Sequence, residues 1–362
     1  MTLEGVAWAE DLAMDLPGLV AGFGQRPTVV TDGAIAAAGV ADPVAQCLGA
    51  DLVVLPGGEP VAESVGALAR RLGTGDVAVA VGGGSVIDTV KLAARLVDDP
   101  DGLEGRLLGA APFPVGIGVI ALPTTSGSGA EVTRTAIVSH QGRKTWAWDE
   151  RLRPDLAVLA PALCAATPVP VARAAGLDAF VHAVEAATGR RRTEPDATLG
   201  FGAASTIVTR LPASLAGDRQ ARRAMMQAAA EAGIAIDHCG TGIGHAVGHA
   251  LASVGVIPHG LAVMLGLRAG LEWTLEEAGA SYSGLADALG TNVGRLPSVF
   301  DRLLEAVGFD EALTQWAPPS MSVLVSEMRS VDHLPMRENN ARPIGDDDLP
   351  VVADLVLRRW MQ

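Results

Sequence analysis

Basic residues are in deficit in this chain: 27 Lys and Arg stand against 41 Asp and Glu, a formal charge of −14 with a pI near 4.9. A protein that tracks a nucleic-acid backbone needs a basic face, so no nucleic-acid partner is expected. Aromatic residues make up only 4%, and the core must therefore be assembled from Ala, Gly, Val and Leu. Cysteine is also scarce. Cys47, Cys164 and Cys239 are an odd number without C-x-x-C spacing, which argues against a disulfide framework and fits a reducing cytoplasm. The opening MTLEGVAWAEDLAMDLPG has acids and no basic region, so no signal peptide is expected. No uninterrupted apolar run reaches membrane length; APFPVGIGVIALP comes nearest and reads as a buried strand. The expectation is a soluble cytoplasmic protein with no membrane partner.

A length of 362 residues suits two domains. Up to about residue 160, short apolar runs alternate with stretches of helical period. TVVT (28–31), DLVVL (51–55), DVAVAVG (76–82), VGIGVIALP (115–123) and LAVLA (156–160) read as strands of a parallel sheet covered on both faces. From Pro168 onward the texture becomes long Ala- and Leu-rich helical stretches, such as PVARAAGLDAFVHAVEAAT. The predicted fold is an α/β N-terminal domain with a Rossmann-like parallel sheet, residues 1–162, followed by an all-α domain, residues 163–362. With no repeat and no low-complexity linker, the two are expected to pack directly and form a cleft.

VAVAVGGGSVIDTVKLAARL (77–96) runs from a buried strand through Gly82, Gly83, Gly84 and Ser85 into a helix. Glycines at such a turn let a pyrophosphate approach the backbone at the positive end of a helix. Ser85 and Asp88 can alternatively be a capping pair around a plain tight turn. Asp32 ends the first strand, where an acid binds ribose hydroxyls and repels a 2′-phosphate; a plain turn aspartate is the other reading. Only two lysines occur, Lys91 and Lys144, against 25 arginines (27 basic residues less two). So strong a bias leaves lysine where a compact, tunable ammonium matters.

GLDAFVHAVEAATG (176–189) places Asp178 and His182 at i and i+4, one turn apart on one helix face. GIGHAVGHALASVGVIPHG (242–260) is nearly all small or apolar and still carries His245, His249 and His259. Asp178, His182, His245, His249 and His259 all compete for places around one metal ion. His245 and His249 share the spacing of the H-E-x-x-H metalloprotease helix, but the residues between them are Ala-Val-Gly. The missing general-base Glu removes a metal hydrolase.

Four motifs in order carry a resemblance. GGGSVIDTVK, ALPTTSGSGAEVTRTAIV (121–138), GLDAFVHAVEA and HAVGHALASVGVIPHG are similar to the segments that mark the iron-containing (group III) alcohol dehydrogenases, of the dehydroquinate synthase-like superfamily. By matching position, the resemblance implies a metal site of Asp178, His182, His245 and His259, with His249 a nearby non-ligand that relays a proton. It implies nicotinamide cofactor contacts at Gly82, Gly83, Ser85, Thr124, Thr125 and Ser128, with Asp88 of the same motif. Lys144 matches a lysine near the nicotinamide ribose, and Asp32 the acid associated with NAD over NADP. The implied function is NAD(H)-dependent alcohol oxidation or aldehyde reduction on a small substrate, by a homodimer or larger homo-oligomer. Fe(II) is the implied ion, and Zn(II) suits the same donors.

The family pattern is departed from at Ile236, where many members carry phenylalanine, at His238 and Cys239, and in ATGRRRTEP after the Asp178–His182 helix. Arg190, Arg191 and Arg192 fit a solvated helix end. Together with Arg134 and the smaller Ile236, they also motivate a substrate with an anionic group. The C-terminal third resembles the family chiefly through NNARP (339–343). The main alternative is a maleylacetate reductase-like enzyme, metal-free and with Asn where Asp178 stands; a lyase of the dehydroquinate synthase type would be expected to carry more active-site lysines.

Overall fold

The computed structural model describes residues 3–255 and 257–362. Two compact units follow one another, Met1–Thr167 and Pro168–Gln362. In the first unit the strands are β1 (Val6–Trp8), β2 (Arg26–Asp32), β3 (Asp51–Leu55), β4 (Asp76–Gly82), β5 (Gly118–Pro123), β6 (Thr135–His140), β7 (Arg143–Trp148) and β8 (Leu156–Leu159). Six of them form one sheet in the order β1-β8-β5-β4-β2-β3, every pair parallel, while β6 and β7 make a separate antiparallel hairpin. The helices here are α1 (Leu12–Val20), α2 (Gly33–Ala37), α3 (Asp42–Leu48), α4 (Ala62–Arg71) and α5 (Gly84–Arg95).

The continuous apolar run of β4 follows from its central place. Val77, Val79 and Val81 enter one core with Leu16, Val20 and Val44, from α1 and α3. Ala78 and Ala80 point the other way and join Val65, Leu68, Val86 and Val90, from α4 and α5. Period-two alternation is therefore present, but both faces are apolar because helices cover both. Two features escaped the sequence reading: β1 is only three residues long, and β7 (RKTWAW) carries two cations within its run.

The strand order also says where a ligand belongs. The chain moves outward from β2 to β3, then returns to β4 on the other side of β2 and continues to β5. The switch point lies between β2 and β4, and open α/β sheets bind ligands just beyond the carboxyl ends of strands at such a point. Asp32 ends β2 and Gly82 ends β4. The two predicted cofactor features thus flank one crevice.

Lys91 is fully buried on α5. Its Nζ donates to the Ala130 carbonyl at 3.1 Å and to Thr133 Oγ1 at 3.3 Å, and it also donates to the Thr135 carbonyl. Asp88 Oδ1 lies 3.5 Å away, and Asp88 Oδ2 accepts from the Ile137 N–H at 2.9 Å. Glu131 is buried close by, and burial pushes its carboxyl up to about 7, with Lys91 pulling more weakly the other way. This cluster clamps residues 130–137 onto α5. It gives Asp88 a structural part in place of the expected helix cap.

A consequence for stability follows. The Glu131 carboxyl binds its proton more tightly folded than unfolded, where the ordinary value is 4.5. Its contribution is therefore fully present below pH 4.5 and is lost as pH rises through about 7, by roughly 3 kcal/mol in all. Glu131→Gln should gain urea resistance over the native chain between pH 5 and pH 8. A difference between the two that stays constant over that range would contradict the burial argument.

The second unit is helical: α6 (Val169–Thr188), α7 (Glu194–Leu215), α8 (Arg219–Cys239), α9 (Ile243–Val254) and α10 (His259–Ala269), then shorter helices and a final one, Leu349–Trp360. Its core is rich in buried alanines, among them Ala179, Ala183, Ala203, Ala228 and Ala232. Few aromatics are needed because small side chains let the helices lie close. The contact between α10 and α6 is the extreme case: a Cβ on Gly260 would stand 1.8 Å from the Ala174 carbonyl oxygen. Only glycine permits that approach, and it brings His259 against the helix carrying Asp178. Among the described residues no helix is long and apolar enough to cross a membrane.

Candidate active site

Three helices of the second unit deliver four donor atoms to one point. Asp178 and His182 come from α6, His245 from the first turn of α9, and His259 from the start of α10. Asp178 Oδ1 lies 3.8 Å from His182 Nε2, 3.7 Å from His245 Nε2 and 3.6 Å from His259 Nε2. The two Nε2 atoms of His182 and His245 are 3.1 Å apart, with their rings stacked. A tetrahedral ion with bonds of about 2.0–2.2 Å separates its ligand atoms by roughly 3.3–3.6 Å, close to these four spacings. Asp178, His245 and His259 by themselves lie mutually within 4.8 Å. Asp178, His182 and His245 are buried, while His259 is partly open to solvent, which leaves a side for a small molecule.

Glu185 organises the cluster, and the sequence reading missed it. It is buried on α6, three residues beyond His182 and seven beyond Asp178, on the same face. Its Oε2 accepts from His245 Nδ1 at 2.7 Å, which places the proton on Nδ1 and turns the Nε2 lone pair toward Asp178. Its Oε1 accepts from the backbone N–H of Gly244 at 2.7 Å and of His245 at 3.4 Å. Helix α9 has no side-chain cap of its own, so this carboxylate from another helix serves as one. Burial works to raise the Glu185 carboxyl, but His245 and these donors outweigh it and hold it below the ordinary range. The signal was present in HAVEA as an i+3 spacing.

His249 stands apart from the donor set. Its ring centroid is 6.0 Å from that of His245 and 5.6 Å from that of His259. A further histidine extends the group: His333, buried, with its centroid 6.1 Å from His249. Burial pushes the His333 imidazole below its ordinary value. Five of the seven histidines are thus gathered here, the last from a part of the chain that the sequence reading left without a function.

NNARP proves to be a bracket for the same region. Asn339 Nδ2 donates to the carbonyls of Cys239, Gly240 and Thr241 at 2.9–3.0 Å, and its Oδ1 accepts from Arg191 N. Asn340 Oδ1 accepts from Ile243 N at 3.3 Å, at the start of α9. Three of the four arginines considered for an anion have local partners. Arg192 donates to the Gly189 carbonyl at the end of α6, and Arg191 lies 3.9 Å from Glu338. Arg134 pairs with Glu150 and stacks over the Trp148 ring at 4.3 Å. Ile236 is buried with Ala186, Ala235 and Cys239 rather than exposed on a pocket wall.

In the first unit two of the predicted cofactor residues, Asp32 and Ser85, line one pocket. Gly83 is the N-cap of α5 and offers no side chain to its first-turn N–H groups, which leaves the positive helix end available to an anion. A Cβ on Gly84 would stand 2.8 Å from Ser128 Oγ, so glycine is what lets the loop and the 124–128 segment meet. Thr125 lies against Gly83, and Thr124 N donates to the Gly82 carbonyl at 2.9 Å. The Thr124 side chain is itself fully buried. Asp32 caps α2, its Oδ1 accepting from Ala34 and Ile35 at 2.8 and 2.9 Å. Lys144 pairs with Glu59 at 2.9 Å.

Known proteins are similar to this chain in sequence and fold. The family model described as iron-containing alcohol dehydrogenase matches residues 7–161, and that of the Fe-containing alcohol dehydrogenase family, C-terminal, matches residues 172–315. The probable alcohol dehydrogenase EutG of Escherichia coli is 33% identical over 242 residues, 65% of this chain and 61% of that protein. The phosphonoacetaldehyde reductase of Streptomyces viridochromogenes is 37% identical over 213 residues, 55% of this chain and 54% of that protein. The match thus spans less than two thirds of either relative. The solved iron-containing alcohol dehydrogenase of Thermococcus thioreducens superposes with a TM-score of 0.87 at 27% identity, covering 98% of both chains. With both of its units matched, the chain belongs to the iron-containing alcohol dehydrogenase family.

Proposed function

We propose that this chain is a metal-dependent, NAD(H)-using alcohol dehydrogenase or aldehyde reductase for a small alcohol or aldehyde. The observation that carries the reading is one carboxylate oxygen lying 3.6–3.8 Å from the Nε2 atoms of three imidazoles, with Glu185 setting the tautomer of His245. Asp178, His182, His245 and His259 hold a divalent ion, Fe(II) by family and Zn(II) by the same donor chemistry, with a net charge near +1. When bound, that ion supplies Lewis-acid polarisation of the substrate oxygen, and the nicotinamide accepts or gives the hydride.

The chain's own groups do the rest. The N-terminus of α5, with Gly82, Gly83 and Ser85, receives the pyrophosphate, and Thr125 and Ser128 border it. Asp32 takes the ribose hydroxyls; capping α2 through one oxygen leaves the other for that task. His249, next to His259 and outside the donor set, exchanges the hydroxyl proton at its imidazole. The unit around residues 1–162 is thus the dinucleotide domain, and that around 163–362 holds metal and substrate. The metal-free, maleylacetate reductase-like alternative loses ground because Asp178 is present and surrounded by three imidazoles.

An anionic substrate has support from two relatives, the phosphonoacetaldehyde reductase and the sulfoacetaldehyde reductase of Bilophila wadsworthia; of the arginines that first suggested it, Arg134, Arg191 and Arg192 have partners nearby. The test is NADH oxidation with propanal and with phosphonoacetaldehyde, before and after chelation. Activity should vanish on chelation and return with Fe(II). Chelator-resistant reduction would favour the metal-free alternative, and faster turnover of propanal would remove the anionic preference.

A further inference from the structure

Asp32 is not the only acid at the mouth of the switch-point crevice. Strand β3 lies beside β2, so the loop after β3 flanks the end of β2. That loop, LPGGEP (55–60), lines a pocket in the first unit together with Asp32, Ser85 and Thr89. Ser85 marks the phosphate end of this pocket and Asp32 the ribose end; Glu59 stands on the wall with them.

The Glu59 side chain is more than half exposed, yet both of its oxygens are held. Oε1 accepts from Lys144 Nζ at 2.9 Å, and Oε2 accepts from Ser139 Oγ at 3.2 Å. The loop itself is docked on β6, with Ser139 N donating to the Pro60 carbonyl at 2.7 Å and Val61 bridged to Ser139. A carboxylate fixed in this way has a defined position in the pocket, unlike a free surface acid.

We propose that Glu59 is a second specificity-determining residue of the dinucleotide groove. With Asp32 it makes the ribose end doubly acidic, which disfavours a 2′-phosphate. The inference rests on the NAD(H) reading above and adds Glu59 to it.

Binding without turnover tests both ideas separately. Dissociation constants for NADH and NADPH are measured by nucleotide fluorescence for the native chain, E59Q and D32G. The native chain should bind NADH more tightly. E59Q should tighten NADPH by roughly three- to tenfold and leave NADH within about twofold, the gain shrinking at high salt because the site is partly exposed. D32G should narrow the gap as well, since glycine costs little at an N-cap. A purely structural role for Glu59 would weaken both nucleotides alike; that result, or an unchanged ratio in E59Q alongside normal NADH binding, overturns the proposal. If the native chain binds neither nucleotide, the cofactor reading falls and takes this inference with it.

Discussion

Asp178→Ala, His245→Ala and His259→Ala should each emerge from gel filtration without a divalent ion, and inactive. His249→Ala should keep its ion and turn over slowly. The distinction follows from geometry. The first three residues offer donor atoms that all lie within 4.8 Å of one another, with Asp178 Oδ1 3.6–3.7 Å from the other two, and His249 is not in that group. Glu185→Gln is the more discriminating variant. Its amide can still accept from Gly244 N through one oxygen, but the charge that holds the Nδ1 proton of His245 is gone. Its affinity for Zn(II), measured by competition with a chelator, should fall by about ten- to a hundredfold with the fold retained. A stoichiometric ion in Asp178→Ala would undo the ligand assignment, and undiminished affinity in Glu185→Gln would reduce that residue to a helix cap.

Lys91→Met should cost about 3–5 kcal/mol of stability, the cost of leaving buried charge without its partner. Lys91 is fully buried, and its ammonium serves the carbonyls of Ala130 and Thr135, the Thr133 hydroxyl and the Asp88 carboxylate. Methionine fills the volume and satisfies none of them. Adding Asp88→Asn should recover part of the loss, because asparagine can still accept from Ile137 N without a charge. Urea unfolding of the single and double variants gives both numbers. A loss under about 1 kcal/mol in Lys91→Met would mean that water or relaxation replaces the lysine. The same change should weaken NADH binding, since residues 130–137 directly follow the segment that borders the glycine loop. The scarcity of lysine thus has two explanations: Lys91 clamps this segment from within, and Lys144 pairs with Glu59.

Local pattern settled much of this protein from sequence alone. The run of β4 had to be a doubly covered strand, because six apolar or small residues in succession leave no face for water. The glycines after it had to open a strand-to-helix turn, and the i, i+4 spacing put Asp178 beside His182 and His245 in line with His249. Composition forced an alanine-built helical core. Tertiary structure decided what spacing leaves open. His245 and His249 are equivalent on a helix pattern, and only the rotation of α9, set by Glu185 from 60 residues away, aims His245 at Asp178. Asp88 looked like a capping acid until β6, 49 residues on, supplied its N–H partner. The arginine run fitted either a solvated helix end or a site for an anion, and in the fold Arg192 reaches the Gly189 carbonyl while Arg191 lies 3.9 Å from Glu338. A side chain's charge is written in the sequence, but its partner is set by which distant backbone the fold brings within 3 Å, and neither period nor composition carries that information.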